Sequence, residues 1–228
     1  MLYLVYLYAA FFFIFTGIHL YASYIKRDSL RAPTKPVILL CILGMYLEWM
    51  HYKGLTPSAY VVFALTTSWL GDVWLIPKGV KWFTIGGIAF WASHFLFIQS
   101  YWQSGIDFAN ISPFLIALVI VVYVPVVVVV FAKLKKWLPK PLFYPMFFYL
   151  LTNGIMNMFA WFRLMSGACS LSSGLITAIG ALMFFISDST LFFVRFDKTS
   201  SVKTHFLVML TYSVGEFLIV LGLMLLAV

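Results

Sequence analysis

The chain has 228 residues, 64% of them hydrophobic and 10% charged, with a mean hydropathy of +1.02. Soluble proteins carry about 25% charged and about 45–50% apolar residues. This composition therefore excludes a soluble catalytic module and implies one integral-membrane domain over residues 1–228. The net charge of +8 does not indicate nucleic acid, because the basic residues form no block interleaved with aromatics and lie in short loops between apolar spans, where they report topology.

Eight helices are expected, giving an all-α membrane protein with eight transmembrane helices. The first, Leu2–Tyr24, has no basic n-region and no small-residue cleavage site, so it reads as a retained helix rather than a signal peptide. Pro36–Met50 follows. A hydrocarbon core about 30 Å thick takes about 20 residues, so this second helix either extends through Tyr52 or sits in a thinned region. The others are Pro57–Pro77, Trp82–Trp102, Ser112–Phe131, Leu142–Arg163, Gly174–Val194 and His205–Ala227, separated by breaks at Pro33, Pro57, Pro77 with Lys78 and Gly79, and Pro139 with Pro141. Cys41 and Cys169 show no metal-ligand spacing and read as packing residues.

Charge supports this count. Of the 15 lysines and arginines, all but Lys53 and Arg163 fall on one side of an eight-span chain, in groups around Lys35, Lys78, Lys136 and Arg195. Cytoplasmic loops hold the excess of basic residues, which puts both termini on the other side. With an even count the two halves run in the same sense, as in a parallel 4+4 repeat. Helices three and seven become counterparts.

Each of these two helices carries a carboxylate in an apolar run. SWLGDVWLIP places Asp72 five residues before Pro77, and FFISDSTLFF places Asp188 six before Val194, so both lie about 8–9 Å from the cytoplasmic ends of their helices. An ionisable group inside a membrane helix is costly, faces a protein interior or a wet cavity, and marks function. In the fourth helix Gly86, Phe90 and His94 share a face, and Gly180, Phe184 and Asp188 repeat that spacing in the seventh. Small residues let helices approach, which places the two glycines at contacts that turn His94 and Asp188 inward. The eighth helix adds Tyr212 and Glu216, one turn apart.

Weaker polar candidates are Thr16 and His19 on the first helix, Glu48 and His51 on the second, and Asn153 and Asn157 on one face of the sixth. Lys35, directly before Pro36, reads either as a topology charge that snorkels or as a contact to a phosphate head group. No nucleophile elbow, phosphate loop, paired metalloprotease histidines or cysteine cluster occurs. The set fits acid/base chemistry. A zinc site built from His94, Asp72 and Asp188 has the ligand types but no specific spacing.

The GD of the third helix, G-x-x-x-F-x-x-x-H of the fourth, G-A-x-x-F-x-x-S-D-x-x-L from Gly180 to Leu191, and Lys35-Pro36 together resemble the YhhN-type lysoplasmalogenase family over nearly the whole chain. Two positions depart from its pattern: Phe97 stands where Tyr is expected, and Glu216 where Gln is expected. The resemblance implies a multi-pass protein of a bacterial inner membrane or a eukaryotic endomembrane. It implies hydrolysis of the vinyl ether bond of lysoplasmalogens to a fatty aldehyde and glycerophosphoethanolamine or glycerophosphocholine.

On this reading Asp72, Asp188, His94, Tyr212 and Glu216 are the catalytic candidates. Lys35, Ser187, Phe90 and Phe184 contact the lysophospholipid substrate, membrane lipid is the other partner, and no cofactor or metal is implied. Alternatives are a proton- or cation-coupled transporter or lipid-binding protein, or another membrane lipid hydrolase that uses zinc.

Overall fold

The computed structural model describes residues 2–196 and 203–225. Lys198, counted in the charge map, and Ala227, the expected end of the last helix, lie outside the described residues. So does the side chain of Lys203.

Eight α-helices are present among the described residues: α1 Leu2–Tyr24, α2 Asp28–Tyr52, α3 Ala59–Trp74, α4 Val80–Gln103, α5 Pro113–Leu134, α6 Phe143–Met165, α7 Leu171–Phe196 and α8 Lys203–Met224. Five of them, α1, α2, α5, α7 and α8, are long and apolar enough to cross a membrane by length and composition. α4 and α6 match these in length at 24 and 23 residues but carry the interior's His94, Asn153, Asn157 and Arg163. α3 is shorter, at 16 residues.

The largest departure from the expected boundaries is in α2, which begins at Asp28 rather than Pro36 and runs through Pro33 and Pro36. A proline removes one helical N–H and crowds the preceding turn, which ordinarily ends a helix. Here the hydroxyl of Thr34, between the two prolines, donates to the carbonyl of Leu30 at 2.7 Å. The two extra turns put Asp28, Arg31 and Lys35 on a helix rather than in a loop. α3 departs in the other direction and stops at Trp74, leaving residues 75–79 as a connection.

α1 packs along α2, α3 along α4, and α7 along α8; α6 joins α4 to α7, and α8 closes back onto α1 and α2. α5 lies outside this ring against α6 and buries one stripe, Val119, Tyr123 and Val127, at successive turns. Its other face exposes Val121, Val122 and Val128, and α1 likewise exposes Tyr6, Phe13 and Ile14. Apolar faces of this extent suit lipid. The close α7–α8 contact depends on glycine: a Cβ on Gly180 would come within 2.6 Å of the Ile219 nitrogen, and one on Gly215 within 2.8 Å of the Phe184 nitrogen.

Arg163, which the charge map treats as a loop charge, is fully buried. Its guanidinium donates to the hydroxyls of Ser104 at 3.1 Å, Thr177 at 2.9 Å and Ser173 at 2.7 Å. It therefore ties the C-terminal ends of α4 and α6 to the start of α7.

Candidate active site

Asp72 and Asp188 open onto one cavity of about 750 Å³. Its wall is shared by α1, α2, α3, α4, α7 and α8, and it lies at the end of the bundle where the basic connections gather, with Arg31, Lys35, Lys78 and Arg195 all lining it. The spacing in the sequence placed the two carboxylates at one depth. The fold puts them in one chamber.

Their partners differ in kind. Asp72, fully buried, has Lys35 Nζ 3.0 Å from Oδ1, while Tyr212 donates its phenolic hydroxyl to Oδ2 at 2.9 Å. Asp188 Oδ2 instead accepts from the Tyr149 hydroxyl at 2.7 Å and from Asn153 Nδ2 at 2.8 Å. His94 Nε2 stands 3.3 Å from the same oxygen, a close approach whose alignment falls short of a hydrogen bond, and its Nδ1 has no partner. One acid is thus matched by a cation and a phenol, the other by neutral donors and an imidazole.

Each helix supplies its groups for a local reason. A Cβ on Gly71 would stand 2.6 Å from the Phe90 ring, so the glycine before Asp72 lets α4 seat Phe90 beside it. Phe90, Phe184 and Tyr212 then meet edge to face with centroids 5.5–6.3 Å apart, an aromatic cluster that joins α4, α7 and α8. On α6, Tyr149, Asn153 and Asn157 are spaced one turn apart on the face toward α7. Asn157 Nδ2 donates to Asn153 Oδ1 at 3.2 Å, which fixes the Asn153 amide with its nitrogen toward Asp188. Behind it, Trp161 Nε1 donates to Tyr123 at 2.9 Å and Tyr123 reaches Asn157 at 3.5 Å.

The other candidates take distinct places. Ser187 lines the cavity while its hydroxyl donates to the Val208 carbonyl at 2.9 Å. Phe184 and His94 are fully buried and stand behind the wall, with centroids 4.9 Å apart. Glu216 is also fully buried and off the wall, and neither carboxyl oxygen has an aligned hydrogen bond. Ser68, whose hydroxyl pairs with that of Ser93 at 2.7 Å, is a polar neighbour of Glu216. Phe97 is fully buried and stacks near Tyr101. Among the described residues no group of three or more His, Cys, Asp or Glu is placed to hold a metal ion.

Two features escaped the sequence reading. Tyr149 has the same one-turn spacing to Asn153 that links Gly86, Phe90 and His94, and that spacing could have found it. The Lys35–Asp72 pair joins the consecutive helices α2 and α3 through the way they pack, and no local pattern carries it.

No curated protein and no solved structure matches the chain. The family model for YhhN matches residues 30–223, which spans α3 to α7 entire, most of α2 and α8, and both carboxylates of the cavity with their partners, so this chain belongs to the YhhN family.

Proposed function

We propose that this protein is a lysoplasmalogenase-like hydrolase that cleaves the vinyl ether bond of lysoplasmalogens, with a single eight-span membrane domain and its cavity open on the cytoplasmic side. YhhN membership supports a hydrolase of this type. The observation that carries the reading is the pair of carboxylates on one cavity wall with unlike partners.

Vinyl ether hydrolysis needs a proton delivered to the distal alkene carbon and a negative group beside the resulting oxocarbenium ion. Lys35 balances the charge of Asp72, so Asp72 serves as the ionised partner. Asp188 is assigned the role of acid, with the transferable proton on Oδ1, since Oδ2 accepts from Tyr149 and Asn153. The proton leaves Asp188 for carbon, and the C=C electron pair forms the new C–H bond. Water then adds to the oxocarbenium carbon and gives its proton to Asp72. The hemiacetal hydroxyl then gives its proton to the ionised Asp188 while the glycerol oxygen takes the proton from Asp72 as its bond to carbon breaks, so aldehyde and alcohol leave and both acids return to their starting states. Vinyl ether and water are consumed in equal amounts.

The division of labour between two environments is that of other carboxylate pairs. Tyr149, Asn153 and His94 hold Asp188 in place, Tyr212 holds Asp72, and Phe90 and Ser187 border the reacting group. Glu216 and Phe184 support the wall from behind.

Purified protein incubated with choline and ethanolamine lysoplasmalogens should release free aldehyde, whereas saturated 1-O-alkyl lysolipids should remain intact. Absence of aldehyde from both vinyl ethers, or equal cleavage of the saturated ethers, would refute the reading. Proton-coupled uptake into liposomes without aldehyde would replace it with transport.

A further inference from the structure

Outward from Lys35 the cavity wall carries more cations than the two catalytic carboxylates call for. Arg31 stands one turn before Lys35 on α2, Lys78 comes from the connection after α3, and Arg195 from the end of α7. Among the described residues the one acid that joins them at this mouth is Asp28. Its Oδ1 lies 3.2 Å from Arg31 Nη1 and its Oδ2 3.6 Å from Lys78 Nζ, so one carboxylate spans two cations from different elements, one oxygen to each.

That contact shows that Arg31 and Lys78 converge on a single two-oxygen anion. It is also easily exchanged, since Asp28 is 67% exposed and Lys78 89% exposed, and ion pairs in that setting are weak. Arg31 retains an unused donor: its Nε is buried and has no partner. Asp28 meets the guanidinium through Nη1 alone, so the paired-oxygen geometry that suits phosphate is not filled by the carboxylate.

We propose that the mouth is a phosphate subsite for an amphiphilic ligand, clamped by Arg31 and Lys78, and that the Asp28 carboxylate is an internal stand-in which the ligand's phosphate displaces. This rests on the proposed function only in placing the ligand's chain inside the cavity. A phosphodiester and a carboxylate each carry one negative charge. The exchange therefore leaves the charge of the mouth unchanged while Asp28 turns into water. Arg195, whose guanidinium lies 5.5 Å above the Phe83 ring, borders the same space and adds to its positive potential.

The test measures binding, by intrinsic tryptophan fluorescence of the full-length protein in neutral-detergent micelles. The two probes are a saturated 1-O-alkyl lysophosphocholine and the alkylglycerol of equal chain length that lacks phosphate. The wild type should prefer the phosphate-bearing lipid by about tenfold, and Arg31→Gln or Lys78→Gln should each cut the preference by about threefold to tenfold. Asp28→Asn should tighten the phosphate-bearing lipid by about threefold and leave the alkylglycerol unchanged. Lys140→Gln, a basic position outside the cavity, should change neither, and thermal melting checks that each variant is folded.

Equal wild-type affinity for the two probes would overturn the subsite, and an Asp28→Asn protein that binds phosphate no better or more weakly would overturn the stand-in. Phosphate preference without any vinyl ether cleavage would leave the subsite standing and remove the hydrolase reading. Cleavage without phosphate preference would do the reverse.

Discussion

A buried cation, Arg163, and a half-buried one, Lys35, sit at opposite ends of this bundle, and each is held differently. Arg163 is enclosed by hydroxyls that are themselves anchored, since Thr177 donates to the Ser173 carbonyl at 2.8 Å and Ser173 to the Gly222 carbonyl at 2.6 Å. Every hydroxyl proton goes to a fixed backbone oxygen, so the guanidinium has partners that cannot leave. Lys35 faces a carboxylate on the wall of a cavity and is 17% exposed. One end uses a cation to fasten helices, and at the other a cation faces an acid beside a chamber. A buried charge is therefore informative about function only together with what neutralises it and whether that partner meets open space.

The sharpest way to break this contrast is at the cavity end. Under the proposed mechanism Asp188→Asn keeps the shape and the hydrogen-bonding size of the side chain but removes the transferable proton, and Asp72→Asn removes the negative charge that would face the oxocarbenium ion. Each should lower kcat for vinyl ether hydrolysis by about 10²–10⁴-fold with the protein still folded. Folded variants that hydrolyse lysoplasmalogen at wild-type rates would dissolve the contrast, because both ends would then be structural.

Arg163→Leu addresses the other end and should act on stability instead. Losing three charge-assisted hydrogen bonds among buried hydroxyls costs about 2–4 kcal/mol, read as a lower unfolding midpoint in detergent. The fraction that stays folded should keep its kcat. A variant that melts like the wild type but has lost turnover would place chemistry at the Arg163 end.

Much of the cavity end was legible in the sequence because intramembrane carboxylates stand out in an apolar run, and helical spacing relates Gly86 to His94 and Gly180 to Asp188. Gly86 and Gly180 do stand at close helix contacts, where an added Cβ would lie 3.0 Å from Leu75 and 2.6 Å from Ile219 respectively. What spacing cannot supply is which helices adjoin across the ring. Lys35 reaches Asp72 from a helix that continues through two prolines, and between them the buried Thr34 hydroxyl lies 2.9 Å from His19 Nδ1 on α1, a contact between helices that local spacing does not carry. Arg163 was misread for a related reason. Its position near a helix end suggests a loop charge, and only the hydroxyls of α4 and α7 arriving beside it turn it inward.

Glu216 offers the smallest and most discriminating change, because it is a buried carboxyl like Asp188 but lies off the cavity like Arg163. Direct contact with substrate is closed to it. Its side chain sits near the Ser68–Ser93 hydroxyl pair, where an amide has the same size and can both donate and accept. Glu216→Gln should therefore leave kcat within about threefold of wild type, since general acid/base work by a side chain is ordinarily worth about 10²–10⁴-fold and its loss would be unmistakable. The pH–rate profile should keep its shape, because in the proposed mechanism the groups that exchange protons with substrate remain Asp188 and Asp72. A fall of a hundredfold, or a lost limb of the profile, would make Glu216 part of the proton path and extend the chemistry from the cavity wall into the α3–α4–α8 core.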